Sequence, residues 1–515
     1  MSLLRKAYAD VSATQIQQYF PNGQGAGRQN LSYMAIDLRG KIGYNRIVAY
    51  YTMKETLFNG SVLTYIHTNG EELIMENTKV VKFGGSSLAD AGQFRKVADI
   101  VLSDPARRFV VASAPGKRFG GDTKVTDMLY NCYDLAVKGE SFDKAFEAIE
   151  QRFDSIINEL GIDLSLETEF ANIKNAFAHR AGRDYAASRG EYLNSIVLAK
   201  FLNFDFIDPA GYIRFDEKGV FDLETTRSLL APRLAESSHA VIPGFYGSMP
   251  NDTIKTFSRG GSDITGSIVA NAANAVIYEN WTDVSGFLIC DPRIVDDPKP
   301  ITTITYRELR ELAYMGATVL HEEAIFPVRK AGIPINIKNT NHPEDRGTFI
   351  VSETAETSRY TITGIAGKKG FSVIQIEKDM MNSELGFGRN VLRVLEKNGL
   401  CFEHMPSGID TMSIVVNSES LIGKEKAIID EINFRCHPDK LEIENNLALI
   451  AVVGRSMRKA RGTAGRLFSA LAHARVNVKM IDQGSSELNI IIGVEEEDFE
   501  TATKAIYDMF VLPQE

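Results

Sequence analysis

Residues Lys79-Val80-Val81-Lys82-Phe83 form a β-branched run that breaks at Gly84-Gly85-Ser86-Ser87 and leads, from Asp90, into an apolar-periodic helix. The segment reads as strand, tight turn and helix N-terminus. A glycine pair lets backbone N–H groups approach a ligand closely, the serines supply short oxygens, and the first turn of a helix carries partial positive charge. That is phosphate-binding chemistry, with Lys82 as the cation. The turn fits neither GxxxxGK[ST] nor GxGxxG, and a strand-to-helix turn with two glycines is more often plain structure. Its weight comes from Phe257-Ser258-Arg259-Gly260-Gly261-Ser262-Asp263, about 180 residues downstream, where Gly-Gly-Ser again opens a helix. Two such turns predict one site with two walls.

Between them the pattern continues. Arg108-Phe109-Val110-Val111-Ala112-Ser113 reads as a second buried strand ending in Ala114-Pro115-Gly116. Buried β runs alternating with helices predict a parallel α/β sheet, whose functional residues lie beyond the strands' carboxyl ends. Ser113 ends its strand there, as Lys82 does, and Lys117, Arg118, Lys124 and Thr126 occupy the basic loop after it. Residues 127–182 have helical spacing and read as scaffold. Ser188 is placed to cap a helix over 189–202, with Glu191 closing a capping box; the alternative role for Glu191 is to meet a substrate ammonium, and the sequence does not choose. Strand-like segments come next at 240–247 and 276–281, the second running into Thr282-Asp283 and then Asp291-Pro292-Arg293. A helical segment over 305–331 contains Gly316-Ala317-Thr318-Val319-Leu320-His321, in which His321 reads as a packing residue. Strand 335–338 closes the region.

A chain of 515 residues needs about three or four domains. Residues 1–74 differ in composition from the rest of the chain and receive no function; Met75, just before the first strand, is expected to be the natural start, with the preceding segment an appendage. The catalytic region is expected over 75–350. From 360 onward two segments, 360–436 and 446–512, each read βαββαβ, a small binding module duplicated in tandem. The second carries Gln483-Gly484-Ser485-Ser486-Glu487 between two strands, a candidate effector loop.

The formal net charge of −10 argues against nucleic-acid binding. No apolar run approaches the roughly 18 residues of a membrane span, and no signal-peptide core stands behind Met1. Cys132, Cys290, Cys401 and Cys436 show no metal-ligand spacing, so cytoplasmic thiols and no metal site are expected.

In order along the chain, Lys82-Phe83-Gly84-Gly85-Ser86-Ser87, Val111-Ala112-Ser113-Ala114, Ser188-Arg189-Gly190-Glu191, Ser258-Arg259-Gly260-Gly261-Ser262-Asp263, Trp281-Thr282-Asp283-Val284 with Asp291-Pro292-Arg293, and Gly316 to His321 resemble the motifs of the aspartate kinases, amino acid kinases with paired ACT domains. The resemblance covers about 75–512. It implies a three-layer α/β/α kinase fold followed by two α+β ACT domains, and transfer of the γ-phosphoryl group of Mg-ATP to the β-carboxylate of L-aspartate, the first step toward lysine, threonine and methionine. It further implies that Lys82 lies against the transferring phosphoryl group, with Gly84, Gly85 and Ser86 cradling it and Asp263 orienting Lys82. Ser113, Thr126, Glu191, Arg259 and Ser262 would hold aspartate; Thr282, Asp283 and Arg293 would line the nucleotide site. Feedback by an amino acid such as lysine or threonine, and a homodimer or larger assembly through the ACT units, are also implied.

Two departures matter. The family usually has lysine where this chain has Thr318, and Lys117, Lys124 or Lys338 is expected to substitute at the nucleotide phosphates. The first ACT unit reads Glu403-His404-Met405-Pro406-Ser407-Gly408-Ile409-Asp410 where effector-sensing members often carry Thr-Ser-Glu. Two alternatives keep the fold: a kinase of another acceptor, such as glutamate or carbamate, and a catalytically weak amino-acid sensor. The sensor is favoured by Thr318 alone and opposed by Lys82 and Asp263.

Overall fold

The computed structural model describes Ser32–Ala35, Tyr50–Phe58, Ser61–Thr68, Glu71–Ile74 and residues 78–512 apart from 259, 318, 319, 321 and 355–358. Met75 lies outside the described residues, as do Arg259, Thr318 and His321. The chain divides into two units, Met1–Asn77 and Thr78–Glu515. In the first, β1 (Ser32–Ala35), β2 (Tyr50–Phe58), β3 (Ser61–Thr68) and β4 (Glu71–Ile74) form an antiparallel sheet in chain order.

The second unit opens with β5 (Lys79–Phe83), α1 (Ala91–Leu102) and β6 (Arg107–Ala112). Helices α2 (Val125–Lys138), α3 (Asp143–Leu160), α4 (Glu167–Ala178) and α5 (Arg183–Leu202) come next, then β7 (Asp205–Phe206), α6 (Leu223–Ala235) and β8 (Ala240–Pro243). A two-stranded ribbon, β9 (Tyr246–Ser248) with β10 (Ile254–Thr256), precedes α7 (Gly261–Ala272) and β11 (Ile277–Thr282). The region closes with β12 (Thr303–Thr305), α8 (Tyr306–Tyr314), α9 (Glu322–Ala331), β13 (Ile335–Asn339) and β14 (Thr348–Val351).

The main sheet has the order β12-β14-β13-β11-β5-β6-β8-β7. From β13 to β7 it is parallel, and β14 and β12 run the other way at one edge. Side chains alternate between the faces of a strand. Val81, Phe83, Val110 and Ala112 accordingly join a core with the helices α1 to α5, while Val80, Val111 and Ile242 join one on the opposite face with α7 and α9. Lys82 shares the parity of Val80 and is thereby directed to the α7 side.

Local chemistry corrects several sequence expectations. The first Gly-Gly-Ser opens a short 3₁₀ turn, Gly85–Leu88, and the helix starts from Asp90 as the sequence predicts, with Asp90 accepting a bond from Gln93 N at 2.9 Å. Ser188 is not a cap: helix α5 begins at Arg183 after Gly182 (φ 103°), because the Ala-containing stretch 183–190 continues the helix. Ser188 Oγ instead donates to Tyr185 O one turn back, at 2.7 Å. The segment 305–331 is two helices, the first started by a capping box between Thr305 and Glu308.

In the C-terminal region, 364–368 and 371–377 are parts of one strand, β15 (Gly364–Glu377), bulged between Lys368 and Phe371. It is followed by α10 (Phe387–Lys397), β16 (Phe402–His404), β17 (Thr411–Asn417), α11 (Glu425–Cys436), β18 (Lys440–Val453), α12 (Thr463–His473), β19 (Met480–Asp482), β20 (Asn489–Glu495) and α13 (Phe499–Val511). All six strands form one sheet, β16-β17-β15-β18-β20-β19. The first βαββαβ unit is completed by Lys440–Leu447, and the second takes an edge from Gly364–Lys368, so the two long strands thread both units. The first unit keeps its own core around Ile374, Val391 and Ile428. The second shares the core of the kinase-like region, through Leu309, Leu312, Ile365 and Ile450.

Candidate active site

The carboxyl ends of β5, β6, β8 and β11 are neighbours in the sheet; Gly84, Ser113 and Gly244 directly follow the first three, and β11 ends in Thr282. Lys82 is paired in register with Asn280 on β11. Its Nζ lies 2.6 Å from Asp263 Oδ1, on the first turn of α7, and 3.4 Å from Asn280 Oδ1. Asn280 Nδ2 in turn donates to Asp263 Oδ1 at 3.0 Å. A nearly buried cation, an anion and an amide thus fix one another between the two glycine turns. Asn280 was not singled out from the sequence; its one signal is that, with Glu279, it is a polar residue buried inside strand β11.

The first wall is backbone. Gly84 N donates to Trp281 O at 3.0 Å, and Gly85 O accepts from Gly116 N at 2.8 Å. A Cβ on Gly85 would stand 2.8 Å from Ala114 O, and one on Gly116 would stand 2.6 Å from Gly85 C, so neither position has room for a side chain. Ser86 is exposed on this turn. The second wall starts at Gly260 (φ 59°), which begins α7 with no side chain capping its N–H groups. Ser262 is buried against Gly244, where a Cβ would stand 2.6 Å from Ser262 Oγ.

Ser113 comes directly after β6, with its N–H on Phe83 O at 3.2 Å and its carbonyl held by Asn194 Nδ2 at 2.7 Å. Thr126 sits in the first turn of α2, half-buried. Glu191 is buried in the middle of α5, which removes the capping role. Its Oε2 has no hydrogen-bond partner, and burial pushes its carboxyl up to about 8 despite opposing hydrogen bonds, including one from the Ala114 N–H, and the Arg189 charge. A carboxyl in that condition is stabilised by any cation brought to it.

Thr282 ends β11 and donates to Asp283 at 3.2 Å, both at the sheet's carboxyl edge. Arg293 is not drawn into the cluster: its exposed guanidinium is spent on Asp291. Of the three lysines considered for the phosphates, Lys338 is half-buried, donates to Asp345 O at 2.8 Å and lies 5.1 Å from the centre of the Trp281 ring. Lys117 and Lys124 are exposed on the loop after β6. In the candidate effector loop, Gln483 and Glu487 line a cavity of about 340 Å³ with Arg458, Lys459, Arg461 and Thr463, while Ser485 and Ser486 are exposed beside it.

This arrangement suits transfer of a phosphoryl group to an acceptor that is already anionic. Such a reaction needs in-line positioning and charge stabilisation rather than a strong base. Among the described residues no helix is long and apolar enough to cross a membrane.

A model of the amino acid kinase family matches residues 77–339, and a model of the ACT domain matches residues 450–510. Aspartokinase 3 of Bacillus subtilis (strain 168) is 42% identical over 451 residues, covering 84% of this chain and 98% of its own. The crystal structure of Clostridium acetobutylicum aspartate kinase, 54% identical, aligns over 84% of this chain and 100% of its own with a TM-score of 0.79. E. coli aspartokinase III, 26% identical, aligns over 84% of this chain in both of two states. Its complex with aspartate and ADP (R-state) gives a TM-score of 0.64 over 99% of that chain, and its complex with lysine and aspartate (T-state) gives 0.65 over 100%. With the two-walled site, the family model over its kinase region and a relative matched over nearly its whole length, this chain belongs to the aspartokinase family of amino acid kinases.

Proposed function

We propose that this protein transfers the γ-phosphoryl group of ATP to the β-carboxylate of L-aspartate, forming 4-phospho-L-aspartate, and that an amino acid bound to its ACT units regulates the reaction. The observation that carries this reading is the Lys82–Asp263 pair, held at 2.6 Å between two glycine turns at the sheet's carboxyl edge. Lys82, with the backbone of Gly84, Gly85 and Ser86, offsets charge on the transferring group. Ser113, Thr126, Ser262 and Arg259 meet the carboxylates of aspartate, and Glu191 meets its ammonium. Thr282 and Asp283 belong to the nucleotide side. Magnesium enters as the counter-ion of ATP, since Mg²⁺ is bound mainly through substrate phosphates and water. Lys117 or Lys124 supplies the phosphate contact for which Thr318 has no charge; alanine at each, read as the KM for ATP, tests that assignment.

The same reading includes a homo-oligomer joined through ACT units, a cytoplasmic location in keeping with four free cysteines, and lysine or threonine as effector. The complex of E. coli aspartokinase III with lysine supports an amino-acid effector. ADP release measured with aspartate and then with glutamate tests the function. Release with aspartate supports it, and release with glutamate alone, or with neither, contradicts it.

A further inference from the structure

The two loops that form the phosphate wall touch backbone to backbone at Gly85 and Gly116, with no side chain between them to set their spacing. Behind the contact stands Arg152, in the middle of α3 and remote in sequence from every motif of the site. Its side chain is 4% exposed. Nη2 donates to Ala89 O at 3.0 Å and to Gly116 O at 2.8 Å, while Nη1 donates to Asp122 Oδ2 at 2.8 Å; Nε has no partner. One planar cation therefore joins the end of the Gly84–Ala89 turn, the start of the loop after β6 and the middle of that loop.

Asp122 completes the arrangement. It accepts from Arg118 N, Nε and Nη2 at 3.0, 2.8 and 2.9 Å, and these bonds, with those of Arg152, hold its carboxyl far below the usual range. A buried guanidinium needs such a counter-ion. The loop it anchors runs from Ser113 at the end of β6 to Thr126 on α2, the acceptor side of the proposed reaction; the other loop carries Gly85 and Ser86, the donor side.

We propose that Arg152 is a positioning residue that sets the distance between the donor turn and the acceptor loop, with Asp122 as the counter-ion that keeps it in place. The inference rests on the proposed aspartate kinase activity. Lysine cannot replace it, because a point cation lacks the fork needed to reach two carbonyls and a carboxylate together.

The test compares the full chain with Arg152→Lys, Arg152→Ala and Asp122→Asn, and uses as control Lys174→Gln on α4, which breaks a surface pair to Glu150 of α3. Aspartyl phosphate formation is followed with both KM values, the ATP dissociation constant and thermal denaturation. A misplacement of about 1 Å costs on the order of 100-fold in rate. The expected result is that kcat falls about 100-fold in Arg152→Lys and Arg152→Ala and about 10-fold in Asp122→Asn. Both KM values and ATP affinity stay within about threefold, and millimolar guanidinium restores part of kcat in Arg152→Ala alone. The proposal is overturned if Arg152→Lys keeps kcat, or if every loss of rate matches a loss of folded protein and guanidinium rescues nothing. A parent chain that makes no aspartyl phosphate overturns the proposed function instead, whatever the variants do.

Discussion

Lys82 and Asp263 meet at 2.6 Å although the 180 residues between them build three of the main sheet's eight strands, β6, β7 and β8. The pairing results from strand parity, which turns Lys82 toward α7, and from Gly260, whose left-handed backbone starts α7 at the sheet's carboxyl edge. Asn280 locks the geometry from the neighbouring strand.

Removing the cation should therefore cost activity and stability by separate routes. Lys82→Met is expected to lower kcat by about 10²–10³-fold, as loss of one preorganised charge contact does. It also leaves Asp263 without its cation and should destabilise the chain by about 3 kcal/mol. Adding Asp263→Asn should recover most of the stability and none of the rate, which denaturant titration and steady-state kinetics separate.

Glu191 predicts a pH dependence with a definite sign. Its carboxyl lies at about 8 in the folded chain against an ordinary value of 4.5. Between these values the folded state holds a proton that the unfolded state releases, so stability contributed here falls as pH rises from about 5 to 8. Glu191→Gln should flatten that slope in thermal denaturation. Binding of the aspartate ammonium favours the ionised form, so about one proton per site should be released near pH 7, and none in the variant. Calorimetry in buffers of different ionisation enthalpy measures it.

Gly85→Ala and Gly116→Ala should each abolish most activity, because the new Cβ would meet backbone at 2.8 and 2.6 Å. Backbone must shift to admit either methyl, at a cost of about 1–3 kcal/mol. Activity should fall far more than melting temperature, since the turns lie at the edge of the fold.

Glu308 joins the kinase-like region to the regulatory sheet. Its fully buried carboxylate accepts from Thr305 N and Oγ1, Thr363 Oγ1, and Arg455 N and Nη1. Burial alone would raise its pKa, but the bonds from Thr363, Thr305 and Arg455 outweigh burial and hold it below the ordinary glutamate value. Its stabilisation is then present above pH 4.5 and lost as pH falls through the lower folded value. Glu308→Gln should cost about 3 kcal/mol at pH 7, with the gap closing in acid, as read by denaturant melts.

The strand-turn units and the two Gly-Gly-Ser walls were legible because their signals are local: β-branched runs interrupted by glycine. Arg152 was not, since a charged residue on an amphipathic helix ordinarily marks the solvent face, and only tertiary packing turns it inward. Ser188 misled for the opposite reason: a capping pattern was present, but the helix-forming residues before it carried α5 back to Arg183. The tandem βαββαβ reading separates 360–436 from 446–512, whereas β15 and β18 each run through both units, a sharing of strands that no local signal in the sequence marks.

The most direct test of the account is ATP-dependent trapping of the product with hydroxylamine in the parent chain and in Lys82→Met. Aspartyl hydroxamate equal to the ADP released, and reduced at least about 100-fold by the substitution, is the predicted result. ADP released without hydroxamate, or a variant that traps as much as its parent, would contradict it.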